Sequence, residues 1–79
     1  MILKALEPGD IFIHARSRTN HAKKYVVVGL PRMNKKRQRF ERLCKGVGGD
    51  SLFKSCHLEI QKVGESMRKA EMLKKQQHG

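Results

Sequence analysis

The chain has 79 residues and a mass of 9.1 kDa, room for one small domain. A chain of this size buries only about 60% of the surface its unfolded form exposes, which leaves no space for a deep cleft under a lid and speaks against a self-contained enzyme. Lys and Arg number 18 against 7 Asp and Glu, giving a net charge of +11 and a pI near 10.3, so the expected partner is a polyanion: nucleic acid, an anionic membrane or an acidic protein.

In chain order, Leu6-Glu7-Pro8-Gly9-Asp10 reads as a turn, because Pro presets its own φ and Gly accepts a positive one. A strand is expected to follow over Ile11 to Arg16, with Ile11, Ile13 and Ala15 on one face and Phe12, His14 and Arg16 on the other. Ser17 to Ala22 is polar and reads as a loop. Lys23 to Leu30 gives the strongest strand signal, since Tyr25-Val26-Val27-Val28 suits a packed, pleated surface on both faces and so a central position. Pro31 stops it. Arg32 to Gln38 reads as a loop, Arg39 to Val47 as a strand, Gly46 to Asp50 as a turn, and Ser51 to Cys56 as a strand anchored by Leu52 and Phe53. Leu58, Ile60 and Val63 continue as a further short strand or as a single 3₁₀ turn plus strand, and Gly64 closes the segment. Glu65 to Gln77 is helical in composition, with Glu65–Lys69 and Glu71–Lys75 as i,i+4 pairs and a thin apolar stripe of Met67, Ala70 and Leu73. The organisation expected is a β domain over residues 1–64 and a basic helical or frayed tail over 65–79.

The longest apolar run, Tyr25 to Leu30, is far short of the roughly 20 residues that span a bilayer. The first residues lack the apolar stretch of a signal peptide, and the chain reads as cytoplasmic. Cys44 and Cys56 are then expected as reduced, half-buried thiols on strands.

Four or five short strands, a Pro-Gly-Asp turn before the first and glycine turns between them suggest a small closed β-barrel. The stretches Leu6-Glu7-Pro8-Gly9-Asp10-Ile11-Phe12, Lys24-Tyr25-Val26-Val27-Val28-Gly29, Leu52-Phe53 and Leu58-Glu59-Ile60 resemble SH3-like barrels of the KOW and Tudor kind over roughly residues 5–63. The resemblance implies a mainly β fold, a binding module without catalysis, and a binding face built from loops at one barrel end. The chain departs from the Tudor pattern in one respect: its four aromatics, Phe12, Tyr25, Phe40 and Phe53, are scattered where an aromatic cage needs several together.

The charge is uneven. Residues 32–45 hold Arg32, Lys35, Lys36, Arg37, Arg39, Arg42 and Lys45 against Glu41 alone, a net +6 of the chain's +11. Cations crowded in this way repel one another and gain nothing for folding, so the stretch reads as a phosphate-contacting arm. Its arginines can fork two hydrogen bonds to a phosphate, and Lys35 and Lys36 act as point charges. Such contacts give affinity and register without sequence information. Arg16, Arg18, Lys23 and Lys24 flank the first loop and would extend the basic face if both loops lie at one barrel end. Tyr25, Phe40 and Phe53 are candidates for stacking on unpaired bases; Phe40 lies beside the basic loop, while for Tyr25 and Phe53 a place in the core is the favoured expectation, as it is for Phe12. DNA and RNA stay equally open as partners. The run Lys35 to Arg39 would also pass as a nuclear localisation signal.

Other chemistry finds little support. Cys44, Cys56 and His57 lack the close pairs of a structural zinc site, and adjacent Cys56 and His57 would point to opposite faces of a strand, which also speaks against a Cys–His nucleophile. Gly46-Val47-Gly48-Gly49 lacks phosphate-loop spacing and reads as a hairpin turn. No metal or cofactor is expected. The leading expectation is a nucleic-acid-binding module. The alternative is a protein-interaction module, of the phage- or plasmid-type modulator kind, that docks an acidic surface of a transcription or translation machine through the barrel groove and the Met67 and Met72 tail. A membrane role lacks an apolar anchor, and exposed edge strands leave room for a homodimer that covers them.

Overall fold

The structure, a computed structural model, describes residues 1–17 and 21–78, with side chains up to Lys74. A single 3₁₀ turn, Leu3–Ala5, precedes β1 (Asp10–His14), β2 (Tyr25–Val27), β3 (Arg32–Asn34), β4 (Arg39–Gly46), β5 (Ser51–Ser55), β6 (Ile60–Glu65) and a C-terminal helix, α1 (Lys69–His78). The protein is mainly β: the six strands form one antiparallel sheet in the order β3-β4-β2-β1-β6, with β5 added to β4.

β4 organises this sheet. Its Glu41 pairs with Arg32 of β3 on one edge and Ser55 of β5 on the other, and its Cys44 pairs with Val27 of β2 and Leu52 of β5. β3 and β2 therefore lie end to end along one edge of β4, and β5 runs along the other. β6 returns to the free edge of β1, from Asp10↔Glu65 to His14↔Ile60, with a register shift between Ile11 and Phe12. The N-terminal residues are sewn to the approach to β6 by Leu3 N–H to the Leu58 carbonyl and Lys4 N–H to the Cys56 carbonyl, both 2.9 Å. Two strands, β2 and β4, separate β1 from β5, yet Lys54 Nζ lies 2.9 Å from His14 Nε2. That contact requires the sheet to curl strongly on itself, as twisted strands with bulges do.

The core fills the inside of the curl: Leu3, Leu6, Phe12, Val27, Cys44 and Ile60 are buried, with Tyr25 and Leu58 packed against them. β2 is central, between β1 and β4, as its apolar run implies. On β1 the simple two-face division fails, because neighbours Phe12 and Ile13 are both fully buried and Ala15 lies beyond the strand. Both cysteines are free and fully buried. Burial pushes the Cys44 thiol up to about 11, against the pull of Lys54 and Arg42, which keeps it protonated and unreactive.

Several expected boundaries move: β2 keeps only Tyr25–Val27 of the expected Lys23–Leu30 strand, and β1 runs from Asp10 to His14 and not from Ile11 to Arg16. The 32–38 loop is half strand: β3 is its first half and pairs back on β4. The helix begins at Lys69, because the chain through Glu65 is held in β6 by its pairing with Asp10. Between them, Ser66 turns the chain, its Oγ accepting from the Arg68 N–H at 3.2 Å and its carbonyl from the Lys69 N–H at 3.0 Å. No described helix is long and apolar enough to cross a membrane.

The base of α1 is latched to the sheet by the Pro-Gly-Asp turn. Gly9 adopts φ +98°, and a Cβ there would stand 2.6 Å from Lys69 Cβ and 2.7 Å from Lys69 Cα; only glycine meets both demands. The Ser66 N–H donates to the Gly9 carbonyl at 2.6 Å. Lys69 Nζ donates to Asp10 Oδ1 at 2.8 Å and lies 3.2 Å from Glu65 Oε2, while Lys62 Nζ lies 3.2 Å from Asp10 Oδ1. Burial raises the Asp10 pKa, but hydrogen bonds from Lys69, the Glu7 N–H and Lys62 outweigh it and hold the carboxyl below its ordinary value.

Candidate nucleic-acid interface

The basic stretch forms the β3–β4 hairpin, and a single carboxylate builds it. Asn34 Nδ2 donates to Glu41 Oε1 at 2.6 Å, while Asn34 Oδ1 accepts from the Arg37 N–H at 3.2 Å and so closes the turn. The turn ends with Gln38 in the left-handed region, φ 51°. On the other Glu41 oxygen, Arg39 donates from Nε at 2.9 Å and Nη2 at 2.7 Å, and Arg37 from Nη1 at 3.3 Å. Hydrogen bonds from Asn34 and Arg39 hold the Glu41 carboxyl below its ordinary range despite its burial.

Strand alternation then sorts the side chains. Arg32, Asn34, Arg39, Glu41 and, across β4, Phe53 share the outer face of the curl, by the pairings Arg32↔Glu41, Asn34↔Arg39 and Leu43↔Phe53. There, Arg32, Met33, Asn34, Lys35, Lys36, Glu41 and Phe53 line an open groove of about 370 Å³. Arg32, Lys35 and Lys36 are exposed and make no ion pair among the described residues. Glu41, the groove's one acid, is 3% exposed and already bridged to Arg37 and Arg39. The groove presents cations to solvent with no countercharge of its own.

The other expected site residues separate into distinct places. Arg42 is a correction: it shares the inner face with Cys44, its side chain is 1% exposed, and it donates to the carbonyls of Gly29 (3.0 Å), Leu3 (3.2 Å) and Leu6. Buried inside the curl with Nε and Nη1 committed to three carbonyls, this guanidinium is out of reach of a phosphate. Phe40 is half-exposed but faces away from the groove, cross-strand from Met33 and beside Lys4, Pro31, Cys56 and His57. The two loops do not share an end. β2 runs antiparallel to β4, with Tyr25 opposite Gly46, so Lys23 and Lys24 lie at the Gly46–Asp50 turn and the hairpin lies at the other end of β4. Lys23 is paired with Asp50 at 2.9 Å, and the Lys24 carbonyl accepts from the Val47 N–H. Lys45 lines a separate groove beside α1, and Arg16 another beside His14 and His57. Arg18 lies outside the described residues.

Phe53, for which the core is the favoured of two expectations, is 49% exposed. Alternation held the signal, because Leu52 and Phe53 are adjacent on one strand and cannot both point inward.

A second polar cluster gathers at the Gly46–Asp50 end. The Tyr25 ring stacks on Phe12 at 5.7 Å and His14 at 5.6 Å, with Lys54 Nζ 4.2 Å and Lys23 Nζ 5.5 Å from its centre. Burial and the neighbouring Lys54 charge push the His14 imidazole below its ordinary value, and burial does the same to Lys54.

No known protein family, curated protein or solved structure matches the chain.

Proposed function

We propose that the protein is a non-catalytic nucleic-acid-binding module that holds a phosphate backbone against the outer face of the β3–β4 hairpin. The groove carries this reading: Arg32, Lys35 and Lys36 line it without ion pairs among the described residues, and its one carboxylate is buried and neutralised. Arg32 can fork onto a phosphate, and the two consecutive lysines supply charge at the start of the turn. The strand succession β1-β2-β4-β5, with β6 returning to β1, supports the resemblance to a small SH3-like barrel whose basic arm is the β3–β4 hairpin. A cytoplasmic location fits the two free, buried thiols.

The test is fluorescence polarisation on nuclease-treated protein with duplex DNA, single-stranded DNA and structured RNA, between 50 and 200 mM salt. Three phosphate contacts give a slope of log affinity on log salt of about −2 to −3. Replacing Lys35, Lys36 and Arg37 together with Ala is expected to weaken binding to unrelated sequences alike. Unchanged affinity in that variant removes the hairpin from the interface.

A second reading rests on a groove of about 430 Å³ between α1 and the sheet, where Val26, Val28 and Met72 meet Lys45, Arg68, Ser66 and Glu71. Apolar walls with two cations and one carboxylate along them suit a protein segment of mixed polarity. A partner retained after nuclease treatment and released by Met72→Asp would favour this reading over the first.

A further inference from the structure

We infer that the hairpin groove takes an unpaired base, stacked on Phe53, so that the preferred ligand is a single strand. This rests on the phosphate-binding reading above and adds to it the class of nucleic acid. Phe53 is the only aromatic side chain among the described residues that line the groove, and it leaves half its surface in solvent. It stands on β5 level with Leu43 while Arg32 stands on β3 level with Glu41, one strand to either side of β4 and two residues apart along it, so roughly 12 Å apart across the sheet. Lys35 and Lys36 close the same groove from the turn. A ring flanked by cations matches a nucleotide, which carries a flat π-face beside a charged backbone. A duplex offers no such face, because each base is covered above and below by its neighbours. The groove volume, about 370 Å³, lies at the small end of the roughly 300–1,000 Å³ of ligand clefts, the scale of a single monomer unit.

The test compares four labelled ligands of equal length by polarisation: an oligo-dT strand, an oligo-U strand, the same deoxyribose-phosphate strand without bases, and a duplex. The intact protein is expected to bind both base-bearing strands at least several-fold more tightly than the base-free strand. Phe53→Leu keeps an apolar side chain at a half-exposed position and removes the π-face. It is expected to lose about tenfold in affinity for the base-bearing strands, in the lower half of the range for stacking, and nothing for the base-free one. The chain has no Trp, so Phe53→Trp supplies a single reporter, expected to be quenched by oligo-dT and oligo-U and not by the base-free strand.

Equal binding of base-bearing and base-free strands, or an unchanged affinity in Phe53→Leu, overturns the stacking inference. If that binding is still salt-dependent and lost with Lys35→Ala and Lys36→Ala, the phosphate reading stands without it. Absence of binding to all four ligands overturns both.

Discussion

Asp10 and Glu41 are equally buried, each 3% exposed, and each gathers cations, but the regions around them end with opposite balances. At the Asp10 junction, Lys62 and Lys69 meet Asp10, Glu65 and Glu7, so acids outnumber the bases they hold. Around Glu41, Arg37 and Arg39 are satisfied, and Arg32, Lys35 and Lys36 remain outside any ion pair among the described residues. The same device, a buried carboxylate bridging two bases, closes the fold in one place and in the other shapes a hairpin that carries surplus charge outward. Arg42 is the limiting inward case, a cation held by carbonyls alone. Composition cannot separate these uses of a basic residue; strand face and pairing do.

The comparison breaks most sharply at Arg42. Arg42→Met fills similar space and leaves the Gly29, Leu3 and Leu6 carbonyls without their donor. Chemical denaturation is expected to show a loss of about 3–5 kcal/mol, a large share of the stability of so small a domain. Next is Gly9→Ala, which places a Cβ against Lys69 at a positive φ. It is expected to cost about 2–3 kcal/mol and to loosen α1, seen as faster amide exchange at Met72, while leaving oligonucleotide affinity per folded molecule unchanged. An equal loss of binding would mean that the junction and the hairpin are one site.

Smaller effects sharpen the contrast. Glu41→Gln is expected to lower stability modestly and to release Arg37 and Arg39, so that the salt slope of binding steepens even as the fold weakens. Stability should also fall in two stages on acidification. The folded His14 pKa lies below the ordinary 6.5, so the unfolded chain binds a proton that the folded one refuses. The associated stability is full above pH 6.5 and is lost as pH falls toward the folded value. His14→Gln is expected to remove this shallow decline. Asp10, Glu41, Asp50 and Glu65 are likewise depressed, and their shared contribution is lost only below the ordinary carboxylate values of 3.8–4.5. Thermal melts from pH 8 to pH 3 on both proteins measure the two stages.

Much of the fold was legible in the residues. The Tyr25–Val28 run announced a central strand, the Pro-Gly-Asp turn a strand start, and Gly46 to Asp50 a hairpin turn, because these signals depend on local sterics and burial alone. The β3 strand was not legible: Arg32-Met33-Asn34 is too short and too polar to read as a strand, and pairing with Arg39 to Glu41 supplies what propensity lacks. The helix start was misplaced for a related reason, since Glu65 looks helical until Asp10 holds it in the sheet. On the candidate site, the charge run marked the stretch that forms the hairpin but could not say which of its cations face inward. Arg42 and Arg39 look alike in sequence. Only the face shared with Cys44 sends one into the core, and only Glu41 ties the other down.

The most direct test of the account is an amide chemical-shift titration of the ¹⁵N-labelled protein with a short oligo-dT strand. The expected result is that shifts concentrate at residues 32–41 and at Phe53, diminish with added salt, and spare Gly9, Asp10 and Lys69. Shifts that instead gather along α1, or at Lys23 and Lys24 at the opposite end of β4, would contradict the assignment of the surplus charge on the β3–β4 hairpin to a nucleic-acid backbone.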